Sequence, residues 1–218
     1  MTTALFADRS DAGARLGKAL LDRLPTLAGE RPIILAIPRG GVPVGLAVAK
    51  ALAAPLDVFI ARKLGAPGHE ELGIGAVATG GVRVIDRDAV AMLHVPDDYL
   101  EEVTQRELAE VERRMRAYRG DAPPLDVKGR TVVLVDDGLA TGVTVRAALG
   151  ALRAGGAARL IVAAPVCSAE GEALVSRAAD VVVCAAVPPR FEGVGLWYDD
   201  FTQMTDQDVR DMLLRATA

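Results

Sequence analysis

Two adjacent carboxylates, Asp136 and Asp137, stand between an unbroken apolar run and a loop of glycines and threonines. The run Val132–Val135 has the uninterrupted, mostly β-branched pattern of a strand that is buried on both faces. The loop leads into a helix start, where unpaired N–H groups and the positive end of the dipole favour a phosphate. The two acids would repel that phosphate, so they must face hydroxyl groups, either directly or through a divalent cation. This chemistry predicts a binding site for a phosphorylated ribose.

Other uses of paired aspartates remain open at this point. Two acids at the end of a strand also suit a metal-binding receiver domain or an ordinary helix N-cap region. A receiver or phosphatase fold would need an isolated nucleophilic Asp on an early strand, and Ile33–Ile37 contains none. The loop lacks the Lys of G-x-x-x-x-G-K-[ST] and the spacing of G-x-G-x-x-G, which weakens both nucleotide-loop interpretations.

The segment Val132–Thr144 resembles the signature of the type I phosphoribosyltransferases, with its apolar run, two acids and Thr-Gly-x-Thr loop. The resemblance implies that the loop holds the 5-phosphate of 5-phosphoribosyl 1-pyrophosphate (PRPP) and that the acids meet the ribose hydroxyls. It also implies Mg²⁺ as the cofactor, held mostly through PRPP, with Asp136 and Asp137 as its indirect protein ligands. The PRPP-binding residues implied in this segment are Asp136, Asp137, Gly138, Leu139, Ala140, Thr141, Gly142, Val143 and Thr144.

A second loop, Pro38–Gly41, follows the predicted strand Pro32–Ile37 and precedes a predicted helix. Ligands of open α/β sheets bind beyond the carboxyl ends of the strands, so this loop should lie near the signature. Gly40 and Gly41 expose backbone N–H groups and Arg39 supplies a cation, a combination that suits a diphosphate. The loop resembles the family's pyrophosphate loop, which implies a cis peptide bond next to Arg39. A plain turn with Arg39 in solvent is the alternative.

The basic pair Arg62-Lys63 matches, by position and charge, residues that close over the pyrophosphate in this family. Glycines and small residues predict a mobile loop over Leu64–Ile74 that shields the donor from water. The loop departs from the family's common pattern at His69 and Glu70-Glu71. The two acids could orient a substrate amine, assist Mg²⁺ or be solvated, and His69 is more often an exposed loop residue than a catalyst. The residues to which the resemblance gives catalytic roles are Asp136, Asp137, Arg62 and Lys63.

The segment Val187–Asp199 is similar to the hood of the purine phosphoribosyltransferases. The similarity implies that Phe191 stacks on the acceptor, with Trp197 or Tyr198 as competing choices, and that Asp199 reads the edge of the acceptor. Two departures leave the acceptor open, since a proline replaces the usual acid and the spacing is one residue longer. An aromatic plug over the edge of the core is an equally good interpretation of the same residues.

Composition narrows the class of protein. The chain has 218 residues and 51% hydrophobic residues, but only 4% aromatic residues, so aliphatic side chains must fill its core. A net charge of −4 gives no support for a nucleic-acid-binding protein, although Arg113–Arg116 is locally basic. No apolar run approaches the length of a membrane span, and the N-terminus lacks a signal-peptide pattern. Cys167 and Cys184 lie in apolar surroundings and are expected to be reduced core thiols, so we expect a cytoplasmic protein.

Strands and helices alternate along the chain, which predicts an α/β fold with a Rossmann-like parallel sheet flanked by helices. The predicted strands are Pro32–Ile37, Leu56–Ile60, Ile74–Ala78, Val82–Ile85, Thr131–Asp136, Arg159–Ala164 and Val181–Ala186. The predicted helices are Asp11–Leu24, Val44–Leu52, Asp97–Arg119, Val145–Leu149, Ala169–Ala178 and Asp206–Arg215. Asp97 or Asp98 is expected to cap the long charged helix and Gly120 to end it. Its apolar stripe would cover a sheet edge or a subunit partner.

The resemblance implies a single phosphoribosyltransferase domain over residues 1–218, with a small hood and an inserted long helix. Its core would span residues 30–85 and 129–187, with a helical insertion over residues 88–120. The hood would come from residues 188–204, with N-terminal residues as a further candidate. The inserted helix and the segment Arg62–Gly68 are most similar to a little-characterised bacterial group of phosphoribosyltransferase-domain proteins.

These features predict Mg²⁺-dependent transfer of a phosphoribosyl group from PRPP to a nitrogen acceptor, with release of pyrophosphate. A purine-like base is one candidate for the acceptor, which the fold does not reveal. The alternative is a regulator with the same fold that senses PRPP or a nucleotide without turning it over. A homodimer is expected, and neither a nucleic acid nor a membrane is an expected partner.

Overall fold

The computed structural model describes residues 4–120, 122 and 125–217. Within these residues the helices are α1 (Arg9–Arg23), α2 (Gly41–Leu52), α3 (Arg87–Met92), α4 (Asp97–Arg119), α5 (Val143–Ala154), α6 (Ala169–Val175) and α7 (Asp206–Thr217). The strands are β1 (Ile33–Ala36), β2 (Leu56–Val58), β3 (Ala61–Ala66), β4 (His69–Ala78), β5 (Val82–Ile85), β6 (Thr131–Val135), β7 (Arg159–Val166) and β8 (Val181–Ala186). The helices and parallel strands differ from the predicted ones by a few residues at their ends.

The central sheet is parallel and has the strand order β2-β1-β6-β7-β8. Helices cover both of its faces, and the residues of β1 show why its sequence is apolar throughout. Ile34 and Ala36 pack into the layer formed with α1 and α2, whereas Ile33 and Leu35 pack into the layer formed with α5. A strand that is covered on both faces must bury every side chain. The predicted α/β fold with a Rossmann-like sheet is therefore confirmed.

A second, antiparallel sheet has the strand order β3-β4-β5. The predicted hairpin between β4 and β5 is confirmed, and it turns at Gly80 and Gly81, which both have positive φ. The prediction of a mobile loop over Leu64–Ile74 is wrong, because most of this segment belongs to the paired strands β3 and β4. Its glycines suggested a loop, but Leu64 and Ile74 are fully buried in the core that α4 completes.

The inserted helix α4 has both of its predicted ends. Gly120 ends it as predicted, but Pro96 precedes it and makes no side-chain capping bond. The prediction of a cap by Asp97 or Asp98 is wrong, because both acids lie within the first turn, where they favour the helix dipole. Its apolar stripe packs into the main core against β3, β4 and α7. Neither α4 nor any other described helix is long and apolar enough to cross a bilayer.

Cys167 and Cys184 form a disulfide bond, which contradicts the prediction of two reduced core thiols. The strands β7 and β8 are parallel neighbours, and the N–H of Cys167 donates to the carbonyl oxygen of Ala186. The two Cα atoms are 6.0 Å apart, within the range that a disulfide bridges. Apolar surroundings indicated burial of each thiol, but only the order of the strands brings the two together. The disulfide removes the thiol-based argument for a reducing compartment.

The packing of α1 on α2 predicts the effect of a single methyl group. A Cβ atom at Gly13 would lie 2.7 Å from the carbonyl oxygen of Val44, whereas one at Gly150 in α5 would meet no atom closer than 3.9 Å. We expect Gly13→Ala to destabilise the fold by about 1–3 kcal/mol, which lowers Tm by about 2–4 °C per kcal/mol. Gly150→Ala, the matched control, should gain up to about 1 kcal/mol of helix propensity. Thermal unfolding measures both, and equal gains in Tm would contradict the close approach of α1 and α2.

Candidate functional site

Two loops emerge side by side from the central sheet because β1 and β6 are paired in register. Their last paired residues are Ala36 and Val135, so the loop after β1 lies beside the acids that follow β6. The peptide bond between Pro38 and Arg39 is cis, as expected beside Arg39. The loops are in close contact, since a Cβ atom at Gly40 would fall 1.9 Å from Oδ2 of Asp137. Only glycine fits there with the acid in this position.

The loop between β6 and α5 is held from behind by β7 and by the start of α6. The N–H of Leu139 donates to the carbonyl oxygen of Val166 at 2.9 Å, and the N–H of Ser168 donates to the carbonyl oxygen of Leu139 at 2.8 Å. The Ser168 hydroxyl donates to the carbonyl oxygen of Ala140. Thr141 in this loop and Thr144 in the first turn of α5 are both exposed. The loop is therefore anchored on one side, while its hydroxyls face outward near the start of α5.

The two acids of the signature have different electrostatic surroundings. An oxygen of Asp136 accepts the N–H of Asp137 at 2.9 Å. Burial, together with the neighbouring Asp137 carboxylate, raises the pKa of Asp136 well above its usual value. Asp137 instead pairs with Arg9, whose Nε lies 2.9 Å from its Oδ2, with the Arg9 and Asp137 side chains 11% and 16% exposed respectively. A charge on Asp136 is thus poorly compensated, whereas Asp137 has a cationic partner.

Arg9 is a site residue that the sequence reasoning missed. It also donates to the carbonyl oxygen of Thr202 at 2.9 Å, and its guanidinium carbon lies 3.8 Å from the centre of the Phe201 ring. The Tyr198 hydroxyl donates to the carbonyl oxygen of Asp137 at 2.5 Å. The chain ends therefore contact the signature directly. No local pattern could have identified Arg9, because 128 residues separate it from Asp137.

The aromatic residues proposed for the acceptor are not equivalent. Trp197 and Tyr198 are buried in a small core with Phe6. The backbones of Phe6 and Tyr198 form an isolated parallel β-bridge. Phe191 is half-buried and stacks on Trp197 with ring centres 6.5 Å apart. Asp199 is exposed, and its N–H donates to the carbonyl oxygen of Phe6. Of these aromatic side chains, Phe191 is the most accessible.

A cavity of about 440 Å³ opens beside the two loops. It is lined by Pro38 from the first loop and by Thr144 from the first turn of α5, which follows the second loop. Arg62 and Lys63 also line it, but they lie within β3 and not in a loop after β2, because the chain re-enters a strand there. The remaining charged wall was missed by the sequence reasoning, since it comes from the inserted helix: Arg106, Glu107 and Arg114.

Other predicted site residues lie outside this cavity. Arg39 points towards α7, where its Nη1 lies 3.6 Å from Oδ1 of Asp206. His69 is exposed at the start of β4, and the side chains of Glu70 and Glu71 are outside the described part of the structure. Among the described residues, no cluster of at least three His, Cys, Asp or Glu side chains could hold a metal ion.

Residues 8–196 match the family model described as the phosphoribosyl transferase domain. The chain belongs to this family. Two Mycobacterium tuberculosis proteins, from strains CDC 1551 and H37Rv, carry provisional names as phosphoribosyl transferases and are each 42% identical over 212 residues. The matches cover 97% of this chain and 47% of each relative, so the chain spans about half the length of the curated relatives it matches.

A solved structure is similar to nearly the whole chain. The crystal structure of TT1426 from Thermus thermophilus is similar with a TM-score of 0.87 and 42% sequence identity. The similarity covers 96% of this chain and 98% of TT1426. It therefore extends beyond the phosphoribosyl transferase signature to the inserted helix and the chain ends.

The unequal acids predict opposite effects of two substitutions on stability. A raised pKa means that Asp136 holds its proton to a higher pH in the folded state than in the unfolded chain. Wild-type stability therefore falls as the pH rises from the unfolded-state pKa of Asp136 to its folded-state pKa. Asp136→Asn removes the titration and keeps an oxygen acceptor for the Asp137 N–H. It should therefore raise Tm, and the gain should grow as the pH rises above about 4, the usual pKa of an aspartate.

Arg9→Gln should have the opposite effect on stability, because it removes the cation that pairs with Asp137 and lies near Asp136. It should destabilise the protein by about 1–3 kcal/mol near neutral pH. Thermal unfolding of both variants across this pH range provides the measurement. A lower Tm for Asp136→Asn at neutral pH would show that the charge of Asp136 is well compensated in the folded protein.

Proposed function

We propose that the protein transfers the phosphoribosyl group of PRPP to a nitrogen acceptor and releases pyrophosphate. The observation that carries this proposal is the in-register pairing of β1 and β6, which brings the two acids and their glycine and threonine loop against Gly40, beside a cavity that Arg62 and Lys63 help to line. Such a site can bind a molecule that has a phosphate at one end, a sugar in the middle and a pyrophosphate at the other. Membership of the phosphoribosyl transferase family supports the same donor.

Each part of the donor has a candidate partner. The loop Gly138–Thr144 would hold the 5-phosphate through backbone N–H groups and the Thr141 and Thr144 hydroxyls. Asp136 and Asp137 would accept hydrogen bonds from the ribose hydroxyls. The pyrophosphate would lie against the N–H of Gly40. The expectation that Gly41 also exposes its N–H is wrong, because that group donates to the carbonyl oxygen of Ile37 at 3.0 Å. The charged partners of the pyrophosphate would be Arg39, after it turns from Asp206, together with Arg62 and Lys63.

The residues present fit a magnesium ion that is bound mainly through the donor. Carboxylate oxygens are suitable Mg²⁺ ligands, and the poorly compensated Asp136 would gain from a nearby cation. Asp136 and Asp137 are the candidate protein ligands, and the oxygens of PRPP would complete the coordination. When bound, Mg²⁺ would supply positive charge against the pyrophosphate.

In the proposed reaction, the bond between C1 of the ribose and the pyrophosphate oxygen breaks, and the electron pair leaves with the pyrophosphate. The acceptor nitrogen bonds to C1 as positive charge develops on the ribose ring, and it then loses its proton. Asp136 and Asp137 would stabilise that positive charge, and one of them could take the proton. Arg62 and Lys63 would stabilise the departing anion. The protein's contribution is therefore mainly positioning and charge compensation.

The acceptor would bind on the side of the chain ends. Phe191 is the favoured stacking residue because its ring is more accessible than those of Trp197 and Tyr198. Asp199 is exposed and could accept a hydrogen bond from the edge of a base or from an amine. A purine-like base is one acceptor of this kind.

The double variant Asp136→Asn/Asp137→Asn tests the role of the acids. It should lower the transfer rate by about 10²-fold or more, because it removes the charges that stabilise the cationic ribose. Asp22→Asn/Asp211→Asn, which neutralises two exposed helical acids, is the control with the same change in charge. Circular dichroism and thermal unfolding check that each variant is folded. Near-wild-type turnover of the first variant would refute the assigned roles.

The transfer itself is tested by incubating the protein with PRPP, Mg²⁺ and a panel of bases and amines, and by measuring pyrophosphate release. Release that depends on one acceptor, with formation of its phosphoribosyl product, is the expected result. PRPP binding without release for any acceptor would contradict transfer. In that case, retention of RNA or DNA that depends on PRPP would favour the regulator.

A further inference from the structure

The cavity beside the two loops has an unusual concentration of positive charge for a chain whose net charge is −4. The charged side chains in its described lining are Arg62 and Lys63 from β3 and Arg106, Glu107 and Arg114 from α4. Cations outnumber the carboxylate, and α4 supplies half of them. A walled cavity with this charge favours a small anion with several negative charges.

Glu107 holds two of these cations in place. Its Oε2 lies 2.6 Å from Nη2 of Arg62, and its Oε1 lies 3.3 Å from Nε of Arg106. The Glu107 side chain is only 11% exposed, so this pairing is partly shielded from solvent. Two guanidinium groups share one carboxylate, which leaves the group with a net positive charge. Glu107 therefore orders the cations without neutralising them.

One turn further along α4, Glu110 holds another pair of arginines. Its oxygens lie 2.6 Å from Nε of Arg114 and 2.7 Å from Nε of Arg113. The hydrogen bonds from Arg113 and Arg114 lower the pKa of Glu110 to about 2, so it stays ionised. Arg114 lines the cavity, whereas Arg113 is 60% exposed and lies outside the lining. The pair is again net positive, but only Arg114 faces the site.

The helix that carries these arginines is fixed to the rest of the protein. Leu100, Val103 and Val111 are buried in the main core. The Tyr99 hydroxyl donates to the carbonyl oxygen of Gly65 at 3.1 Å, which ties α4 to β3. The position of the cationic wall is therefore set by core packing, so no closing loop is needed to bring it to the cavity.

We propose that Arg106 and Arg114 of the inserted helix bind the pyrophosphate group of PRPP and make a preformed pyrophosphate subsite. This assignment rests on the proposed function and extends it to residues outside the signature and the β1–α2 loop. Guanidinium groups suit the task because they can donate two parallel hydrogen bonds to phosphate oxygens. Because the subsite is preformed, inorganic pyrophosphate should bind to the free protein without a ribose.

Calorimetric titration of the full chain in Mg²⁺-containing buffer tests the subsite with inorganic pyrophosphate, PRPP and ribose 5-phosphate. Arg106→Gln and Arg114→Gln should each weaken the binding of pyrophosphate and PRPP by about tenfold or more. The affinity for ribose 5-phosphate should stay within about twofold, because that ligand lacks the pyrophosphate. Arg113→Gln is the matched control, since it removes the same charge from the same helix and the same Glu110 partner. It should leave all three affinities within about twofold.

The outcomes separate this inference from the proposed function. Unchanged pyrophosphate and PRPP affinities in Arg106→Gln and Arg114→Gln would overturn the subsite, even if the wild-type protein transfers phosphoribosyl groups. An equal loss in Arg113→Gln would also overturn it, because general charge and not contact would then explain the effect. Pyrophosphate binding that depends on Arg106 and Arg114, without transfer to any acceptor, would support the subsite and count against the transferase. Absence of pyrophosphate binding in the wild-type protein would overturn the subsite.

Discussion

The in-register pairing of β1 with β6 is the constraint on which the rest of the site depends. It brings the loop Ile37–Gly40 against the signature acids, so that a side chain at Gly40 would overlap Asp137. Both strands are buried on both faces, which ties the position of the loops to the packing of the whole sheet. A shift of either strand would move Gly40 and the signature acids relative to each other. The geometry of the site is therefore determined by the core.

A second dependence runs from the chain ends to the acids. Arg9, at the start of α1, pairs with Asp137 and also contacts Thr202 and Phe201. The Arg9 side chain thus joins the signature to both terminal regions. Among the described hydrogen bonds of Asp136, none comes from a cationic side chain. The asymmetry gives two neighbouring carboxylates different electrostatic properties. Arg9 also links Thr202 and Phe201 to the charge of Asp137.

The inserted helix gives the opposite side of the site a different character. Hydrophobic packing fixes α4 against the β3–β4 hairpin, and ion pairs at Glu107 and Glu110 order the arginines above it. The insertion would otherwise look like a solvated charged helix, since most of its residues are polar. What distinguishes α4 is its position, because one of its charged faces lines the cavity beside the two loops. Apolar packing and a cationic cavity wall are thus combined in a single helix.

The sequence by itself determined the α/β class, the strand, loop and helix segment that carries the two acids, the ends of α4 and the β4–β5 hairpin. These features depend on local periodicity, glycine positions and residue chemistry over short spans. Only the tertiary structure decided the Arg9–Asp137 pair, the Cys167–Cys184 disulfide, the strands in place of a mobile loop after Lys63, and the arginine wall from α4. Each of these depends on contacts between segments distant in sequence, or on which face of a helix meets the core. Strand order and register carry that information, and neither can be derived from the composition of a short segment.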